Sequence, residues 1–294
     1  MRNTTITKDY KVEITDKLIK ALEKGSAPWQ QTWSCESAPV NAVTGRYYQG
    51  TNSMILWYEA KNLSSDGDFR WATRNQVEKK GWRIKSGSRP VRISIMIIPD
   101  EEEGVKQRPI RKTFEVYHAS QICGMPKFIR RKNSYVMSNN EIEEIIYNSS
   151  ARIFEGNLGA SYSPREDLIR MPRKSSFEDT EGYYSTLLHE LAHWTGHETR
   201  LERFYSWSLK RESKESYARE ELIAEIASMF LSFETGISLK QDHFDNHAAY
   251  ISSWISLLKS DPEEIFRAAR EATKATNYIL AFREVKKIEG KKVV

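Results

Sequence analysis

The chain has 294 residues, of which 39% are hydrophobic, with eight tryptophans and a formal net charge of +5. This length suffices for one large or two ordinary domains, and the apolar content excludes a disordered chain. No run approaches the ~20 apolar residues that span a bilayer, and the N-terminus lacks the apolar core of a signal peptide, so we expect a cytoplasmic protein without a membrane partner. Cys35 and Cys123 are far apart, and we expect them to be reduced.

Charge is distributed unevenly along the chain. Residues 1–135 contain 24 Lys and Arg against 14 Asp and Glu, whereas the remainder contains 21 against 26. A basic half followed by an acidic half indicates that the two halves have different partners. The sequence therefore predicts a polyanion-binding module joined to a module with another role.

The first half of the chain combines helices and strands. Residues 9–24 carry apolar side chains at helical spacing before Gly25, which predicts an amphipathic helix. A second helix is predicted over residues 53–62, and residues 92–99 and 111–118 have the composition of the two strands of a hairpin. This half is therefore predicted to be mixed α and β.

Basic and aromatic side chains are interleaved in this half. Cations can follow phosphates while ring faces accept unstacked bases, which is what single-stranded nucleic acid requires. The alternative is that the tryptophans lie in the core and the cations only solvate the surface. Taken as a cluster, the residues favour single-stranded nucleic acid. The candidates are Arg46, Tyr47, Tyr48, Arg70, Trp71, Arg74, Lys79, Lys80, Arg83 and Lys85.

Residues 121–135 lose periodicity and contain a glycine and a proline, which indicates a domain boundary. We expect an N-terminal domain over residues 1–130 and a C-terminal domain over residues 131–294. Within the second domain, the residues around Tyr162 and residues 168–171 predict a two-stranded edge.

A metal-binding pattern lies downstream of this edge. His189, Glu190 and His193 form H-E-x-x-H, and residues four apart share one face of an α-helix, so both imidazoles can reach one cation. Apolar residues flank them, so we expect the helix to be buried nearly all round with one polar line facing a cleft. The alternative is a structural histidine pair satisfied by backbone or carboxylates. Zn²⁺ is the expected ion, with Mn²⁺ or another divalent ion as an alternative.

A catalytic zinc takes three protein ligands, so a third ligand is needed. A second apolar helix carries Glu221 and Glu225 on one face. We predict that Glu221 is the third ligand and that Glu225 holds a ligating imidazole by its other nitrogen. Glu220, Glu225 itself and His197 are the alternatives for the third ligand.

Glu190 is the candidate catalytic residue. In a zinc peptidase it would act as general base toward the water that attacks a peptide carbonyl. The edge near Tyr162 lies just upstream, where such a strand can pair with an extended peptide beside the metal.

Several stretches resemble the ArdC family of antirestriction proteins, which conjugative plasmids and phages carry. FEDTEGYYSTLLHELAHWTGHETRLER, YAREELIAEIASMFL and NHAAYISSWISLL look like its C-terminal metallopeptidase-like domain. PVNAVTGRYYQGTN and FRWATRNQ are similar to its single-stranded DNA-binding domain, which plasmid primase-associated proteins share. The resemblance implies a gluzincin-type site in which the first Glu of E-x-x-A is a ligand, and this pattern matches Glu221 to Ala224.

The expected fold class is α+β with two domains. The first is a mixed α/β domain that binds single-stranded DNA, and the second is a mainly helical, gluzincin-like metallopeptidase domain with a small edge sheet. The resemblance implies a protein that protects incoming DNA from restriction, with a restriction component as one candidate protein substrate. The alternatives are a protein that coats single-stranded DNA around a structural metal site, and a primase-associated transferred protein.

Overall fold

The computed structural model describes residues 5–25, 38–64, 66–97, 110–129, 137–157, 159–204, 214–238 and 247–283. The chain forms two compact units. The small unit comprises residues 36–132, and the large unit comprises residues 1–35 together with residues 133–294. Within the described ranges, none of the helices combines the length and the apolar character that a bilayer crossing needs.

The helices of the described residues are α1 (Thr5–Glu23), α2 (Gly50–Leu63), α3 (Arg74–Lys79), α4 (Asn139–Ser149), α5 (Thr180–Trp194), α6 (Lys214–Thr235), α7 (His247–Ser260) and α8 (Glu264–Ala281). The strands are β1 (Val40–Asn41), β2 (Arg70–Thr73), β3 (Arg83–Ile84), β4 (Val91–Ile97), β5 (Ile110–His118), β6 (Ile122–Cys123), β7 (Ile153–Gly156), β8 (Ser161–Ser163) and β9 (Leu168–Pro172). The predicted helix at 53–62 and hairpin at 92–118 are therefore present with slightly different ends.

The small unit is built on a four-stranded sheet in the order β1-β2-β5-β4. Strand β1 is parallel to β2, whereas β2–β5 and β5–β4 are antiparallel, and β3 pairs with β6 separately. Helix α3 follows β2 directly, because the side chain of Thr73 accepts from the N–H of Gln76 while the Gln76 side chain accepts from the N–H of Thr73. This reciprocal cap turns the chain from strand to helix without a loop.

Strand β4 is the edge of the four-stranded sheet. On helix α2, the side-chain amide of Asn52 donates to the carbonyl of Ser94 at 2.8 Å and its Oδ1 accepts from the N–H of Ser94 at 3.1 Å. One side chain thereby occupies both hydrogen-bonding groups of an edge residue.

The large unit has a three-stranded sheet in the order β7-β9-β8, in which β9 is parallel to β7 and antiparallel to β8. The predicted two-stranded edge is therefore the β8–β9 pair, with β7 as a third strand. Helix α5 packs against α6, α8, β8 and β9. Twelve of its fifteen residues are buried, as the apolar flanks of H-E-x-x-H predict.

Helix α1 belongs to the large unit, which differs from the predicted N-terminal domain over residues 1–130. Its apolar face, including Leu18 and Leu22, is buried, and the helix packs against α7. Thr15 donates to the carbonyl of Pro262 at 2.7 Å, and Lys11 pairs with Glu263. Periodicity predicted the helix, but an apolar face carries no information about which distant element covers it. The other predicted boundary, at 130/131, lies close to the end of the small unit at residue 132.

Candidate metal centre and nucleic-acid surface

Helix α5 presents the H-E-x-x-H side chains on its single polar line. The helix begins where Asp179 accepts from the N–H of Gly182, and it ends at Trp194. His193 and Glu190 are buried, whereas His189 is partly exposed. Because the two histidines are four positions apart on the helix, their rings meet edge to face with centroids 4.9 Å apart.

Three side chains converge into one candidate metal site. The Nε2 atoms of His189 and His193 are 3.2 Å apart, and Glu221 on α6 places its carboxylate oxygens 3.9 Å and 3.7 Å from them. In a tetrahedral site with metal–ligand bonds near 2.1 Å, neighbouring donors are about 3.4 Å apart. The observed separations bracket that value, so these side chains fit a small divalent cation. Among the described residues this is the grouping that could hold one.

The other nitrogen of each imidazole has its own partner. Nδ1 of His193 donates to Oε1 of Glu220 at 3.3 Å. Nδ1 of His189 donates to Oγ of Ser228 at 3.3 Å, and this hydroxyl in turn donates to the carbonyl of Ala224. With each Nδ1 directed to one of these acceptors, both Nε2 atoms face the ligand side.

The carboxylate behind His193 is Glu220, which the sequence analysis considered only as an alternative third ligand. Glu225 was predicted to hold one of the two imidazoles. Glu225 is buried on the same helix, and a role for it behind the other imidazole stays a prediction. Glu220 is also excluded as the third ligand, because Arg203 binds both of its carboxylate oxygens. His197 is not part of the described ligand cluster, and its Nδ1 bonds Oγ1 of Thr199 at 2.9 Å.

The charges around the two imidazoles favour a cation. Burial acts against protonation of His193, but Glu221 and Glu220 outweigh it and leave the pKa of His193 well above its usual value. Burial likewise opposes ionisation of Glu221, yet His193 and His189 lower its pKa to about 2. The metal-free centre therefore holds protons where a divalent ion would supply the positive charge.

Glu190 lies beside this cluster and is 6% exposed. Burial raises the pKa of its carboxyl to about 7, against the lowering effects of His193 and of the nearby backbone of Tyr162. Strand β8, which carries Tyr162, is the outer strand of its sheet. The predicted edge strand thus lies next to the candidate general base.

Two tyrosines stand at the rim of the site, and the sequence analysis missed them. Tyr217 on α6 donates to Glu221, and its hydroxyl lies 3.0 Å from that of Tyr250 on α7. The ring of Tyr250 stacks on Trp254, whose indole N–H donates to the carbonyl of Ala218. Tyr217 lies four residues before Glu221, so helical spacing could have identified it.

Most of the predicted nucleic-acid residues are exposed. Five of them, from Arg74 to Lys85, follow one another along α3, the turn after it and β3. Arg74 also donates to the hydroxyl of Tyr117, and Lys85, just after β3, donates to the carbonyl of Ser120. Tyr47 is 52% exposed in the turn before α2. The exposed candidates are Arg46, Tyr47, Arg74, Lys79, Lys80, Arg83 and Lys85.

Three other candidates have structural roles. Trp71 is fully buried and packs edge to face on His118, so the prediction that it stacks on bases is wrong. Strand β2 is covered on both faces, and an aromatic residue there enters the core. Arg70 binds both carboxylate oxygens of Asp68, and Tyr48 is half-buried and accepts from Asn41.

Both units match known families. Residues 8–121 match the N-terminal domain of anti-restriction factor ArdC, and residues 140–271 match a zincin-like metallopeptidase family. The metal-free crystal structure of the antirestriction protein ArdC from plasmid R388 is 32% identical, with a TM-score of 0.75, over 93% of this chain and 97% of that one. The chain belongs to the ArdC antirestriction family. The resemblance seen in the sequence and the two-domain α+β fold are thereby confirmed.

A related ArdC structure contains a divalent metal. The Mn(II)-bound structure of R388 ArdC is similar to this chain with a TM-score of 0.74 and 32% identity, over 94% of this chain and 98% of that one. The donors of His189, His193 and Glu221 fit such an ion. The prediction of Zn²⁺, or Mn²⁺ in its place, agrees with both observations.

Longer proteins contain a similar region. DNA primase TraC of Escherichia coli is 34% identical over 95% of this chain, which spans only 28% of the primase, and a second TraC is 32% identical over 94% of the chain and 20% of its own length. Uncharacterized protein y4eC of Sinorhizobium fredii (strain NBRC 101917 / NGR234) is 27% identical over 93% of this chain and 92% of its own length. The ArdC-family region therefore occurs both within primases and in proteins of similar extent.

Proposed function

We propose that this ArdC-family chain protects incoming plasmid or phage DNA by binding single-stranded DNA with its small unit and by metal-dependent peptide hydrolysis in its large unit. The observation that carries the proposal is that Glu190 is buried beside the converging side chains on α5, a helix that packs against β8, an outer strand of the sheet among the described residues. Such a protein would work in the cytoplasm of the recipient cell, and a component of the restriction system is a candidate substrate.

The large unit supplies a positioned acid–base group and a peptide-binding edge. A divalent ion held by His189, His193 and Glu221 would polarise a peptide carbonyl and acidify a water molecule. Glu190 would take a proton from the attacking water and return it to the leaving amide nitrogen. Burial raises the pKa of this carboxyl and so favours its protonated form, which is the form that returns the proton. Strand β8 would hold the substrate as an added strand.

The small unit supplies cations and an exposed ring. Arg74, Lys79, Lys80 and Arg83 are exposed in one short stretch, and Arg46 and Tyr47 occupy a turn whose Asn41 hydrogen-bonds Gln76 of α3. Cations in series attract successive phosphates, and an exposed tyrosine can stack on a base.

The peptidase part is tested with Glu190→Gln in the full-length protein, with Glu198→Gln, an exposed glutamate beyond α5, as the matched control. We expect Glu190→Gln to keep Mn²⁺ and Zn²⁺ binding but to lose both proteolysis and protection of incoming DNA. The control should keep all three. If Glu190→Gln binds metal and still protects DNA, peptide hydrolysis is not the mechanism.

A second candidate is a DNA-coating protein whose metal centre is structural. The exposed basic stretch favours this candidate, because coating DNA requires no catalytic group. The similarity to TraC supports a related alternative, a primase-associated transferred protein. The double variant Lys79→Glu/Lys80→Glu should weaken binding to single-stranded DNA and flatten its salt dependence, with a slope smaller by about 1.4 for two lost phosphate contacts. Arg270→Glu/Lys274→Glu makes the same charge change on α8 and should leave binding unchanged. Equal losses in both variants would mean that net charge alone governs binding.

A further inference from the structure

Arg203 lies directly behind the carboxylate that holds His193. Its Nε and one terminal nitrogen donate to the two oxygens of Glu220 at 2.9 Å and 2.7 Å, and both side chains are about 5% exposed. Glu220 in turn accepts from Nδ1 of His193, whose Nε2 faces the other ligands. A continuous chain of buried, charged hydrogen bonds therefore runs from Arg203 to the metal site.

The same guanidinium also binds the C-terminal end of α5. It donates to the carbonyl of Ala192 at 2.7 Å and to Oγ1 of Thr195 at 2.9 Å. Ala192 directly precedes the ligand His193. Arg203 thus fixes the helix that carries the imidazole and the carboxylate that orients its ring.

The absence of a side chain at Gly196 makes room for this contact. A Cβ there would lie 2.6 Å from the ring of Phe204 and 2.9 Å from a terminal nitrogen of Arg203. The chain folds back over Gly196, since Leu201 donates to the carbonyl of Thr195 and Phe204 to that of Gly196. A larger residue would have to displace the guanidinium or the buried ring.

We infer that Arg203 is a positioning residue for the metal centre, which acts on metal affinity through Glu220 and His193 and is seated by Gly196. The inference rests on the metal centre of the proposed function. A carboxylate is a strong partner for a ligating imidazole only while it is ionised and fixed in place, and a bidentate guanidinium ensures both. Removing the guanidinium would leave Glu220 buried with its charge uncompensated and free to turn from the ring.

The test is direct titration of the metal-stripped, full-length protein with Mn²⁺. Loss of a partner behind a ligand typically costs about 10- to 100-fold in metal affinity. We expect Arg203→Met to weaken Mn²⁺ binding by about tenfold, and Arg203→Lys to lose less because an ammonium can still reach one oxygen. Gly196→Ala should weaken binding in the same direction, although it removes no polar group.

Arg200→Met is the matched control. Arg200 is a buried arginine of the same segment that bonds the carbonyl of Trp194 and the side chain of Asp167 instead of Glu220. Its substitution should leave Mn²⁺ affinity within about twofold, even if thermal unfolding of the metal-free protein shows a similar loss of stability. Affinity unchanged in Arg203→Met, or lost equally in Arg200→Met, overturns the inference.

A second variant covers a failure of Arg203→Met to fold. Glu220→Gln keeps the shape of the side chain, and we expect it to weaken Mn²⁺ binding. Adding Arg203→Lys to Glu220→Gln should cause little further loss of Mn²⁺ affinity, because both residues act on His193 through the same chain of hydrogen bonds. Unaltered affinity in Glu220→Gln would also overturn the inference. A wild-type protein that binds neither Mn²⁺ nor Zn²⁺ would instead refute the metal centre itself, and with it the proposed peptidase.

Discussion

The hydroxyl of Tyr217 donates a hydrogen bond to the carboxylate of Glu221, one helical turn away on α6. Burial and the neighbouring Glu221 raise the pKa of this tyrosine, so it remains a donor throughout the range in which the protein works. The same hydroxyl accepts from Tyr250, whose ring is fixed on Trp254. A ligand carboxylate is thus oriented by a second helix as well as by its own.

Tyr217→Phe should weaken Mn²⁺ binding by about three- to tenfold, because the carboxylate of Glu221 loses the donor that orients it. Tyr250→Phe should weaken it less, since Tyr217 keeps its bond to Glu221. Titration of the metal-stripped proteins checks both. Equal affinities in wild type and Tyr217→Phe would show that the hydroxyl does not support the ligand.

Tyr47→Ala should weaken binding to a single-stranded oligonucleotide by about 1–3 kcal/mol, the range for loss of one base stack. Tyr147→Ala is the control, because Tyr147 is 83% exposed but lies on α4 of the large unit. Fluorescence anisotropy with a labelled oligonucleotide at fixed salt provides the measurement. A loss in the control as large as in Tyr47→Ala would contradict a specific stacking role.

Leu22→Ala should lower the free energy of unfolding of the large unit by about 2–5 kcal/mol, since Leu22 is 1% exposed in the packing of α1 on the large unit. Val12→Ala, at a 38% exposed position of the same helix, should cost much less. Urea denaturation, with hydrogen exchange over residues 247–260, reports the effect. Unaltered exchange in Leu22→Ala would place α1 elsewhere.

The small unit should lose stability as the pH falls below about 6.5. Burial lowers the pKa of His118, and the carbonyl of Asp68 with the nearby carboxylates offsets only part of this effect. The unfolded chain then binds the proton at higher pH than the folded chain, so the free energy of unfolding declines as pH drops from the unfolded pKa toward the folded one. Nε2 donates to the carbonyl of Asp68 while Nδ1 accepts from the N–H of Ser120, and protonation breaks the second bond.

Hydrogen exchange of β5 at pH 7.5 and pH 5.5, corrected for intrinsic rates, measures this loss. His118→Gln cannot titrate, so its protection should change less between the two pH values. An identical change in wild type and His118→Gln would assign the pH dependence to other groups.

The sequence predicted the three side chains that converge in the candidate metal site because they obey local rules. Two histidines four apart on an apolar helix have to share a face, and a glutamate on the next apolar helix completes the set. The partner of His193 could not be predicted in the same way. Glu220 and Glu225 are both buried glutamates of α6. Which of them contacts His193 depends on the rotation of α6 about its axis and on Arg203, which lies outside that helix.

The candidate nucleic-acid residues also divide into those that the local sequence predicts and those whose position depends on tertiary packing. Exposed cations at Lys79, Lys80 and Arg83 follow from a polar helix end and a short strand. Trp71 and Arg70 were misread because composition cannot separate a buried aromatic residue from an exposed one in a four-residue strand. Their burial depends on the pairing of β2 with β5 and on the covering of both faces of the sheet.

The two units differ in whether the hydrogen-bonding groups at an edge of their sheets are occupied. At Ser94 on β4, the side-chain amide of Asn52 makes the two hydrogen bonds that a neighbouring strand would make, so another backbone cannot pair there. Strand β8 has no strand on its outer side among the described residues, and the backbone of its Tyr162 lies next to Glu190. Self-association through the first sheet is therefore blocked at that point, whereas a polypeptide that joined the second sheet at β8 would lie beside the candidate acid–base residue.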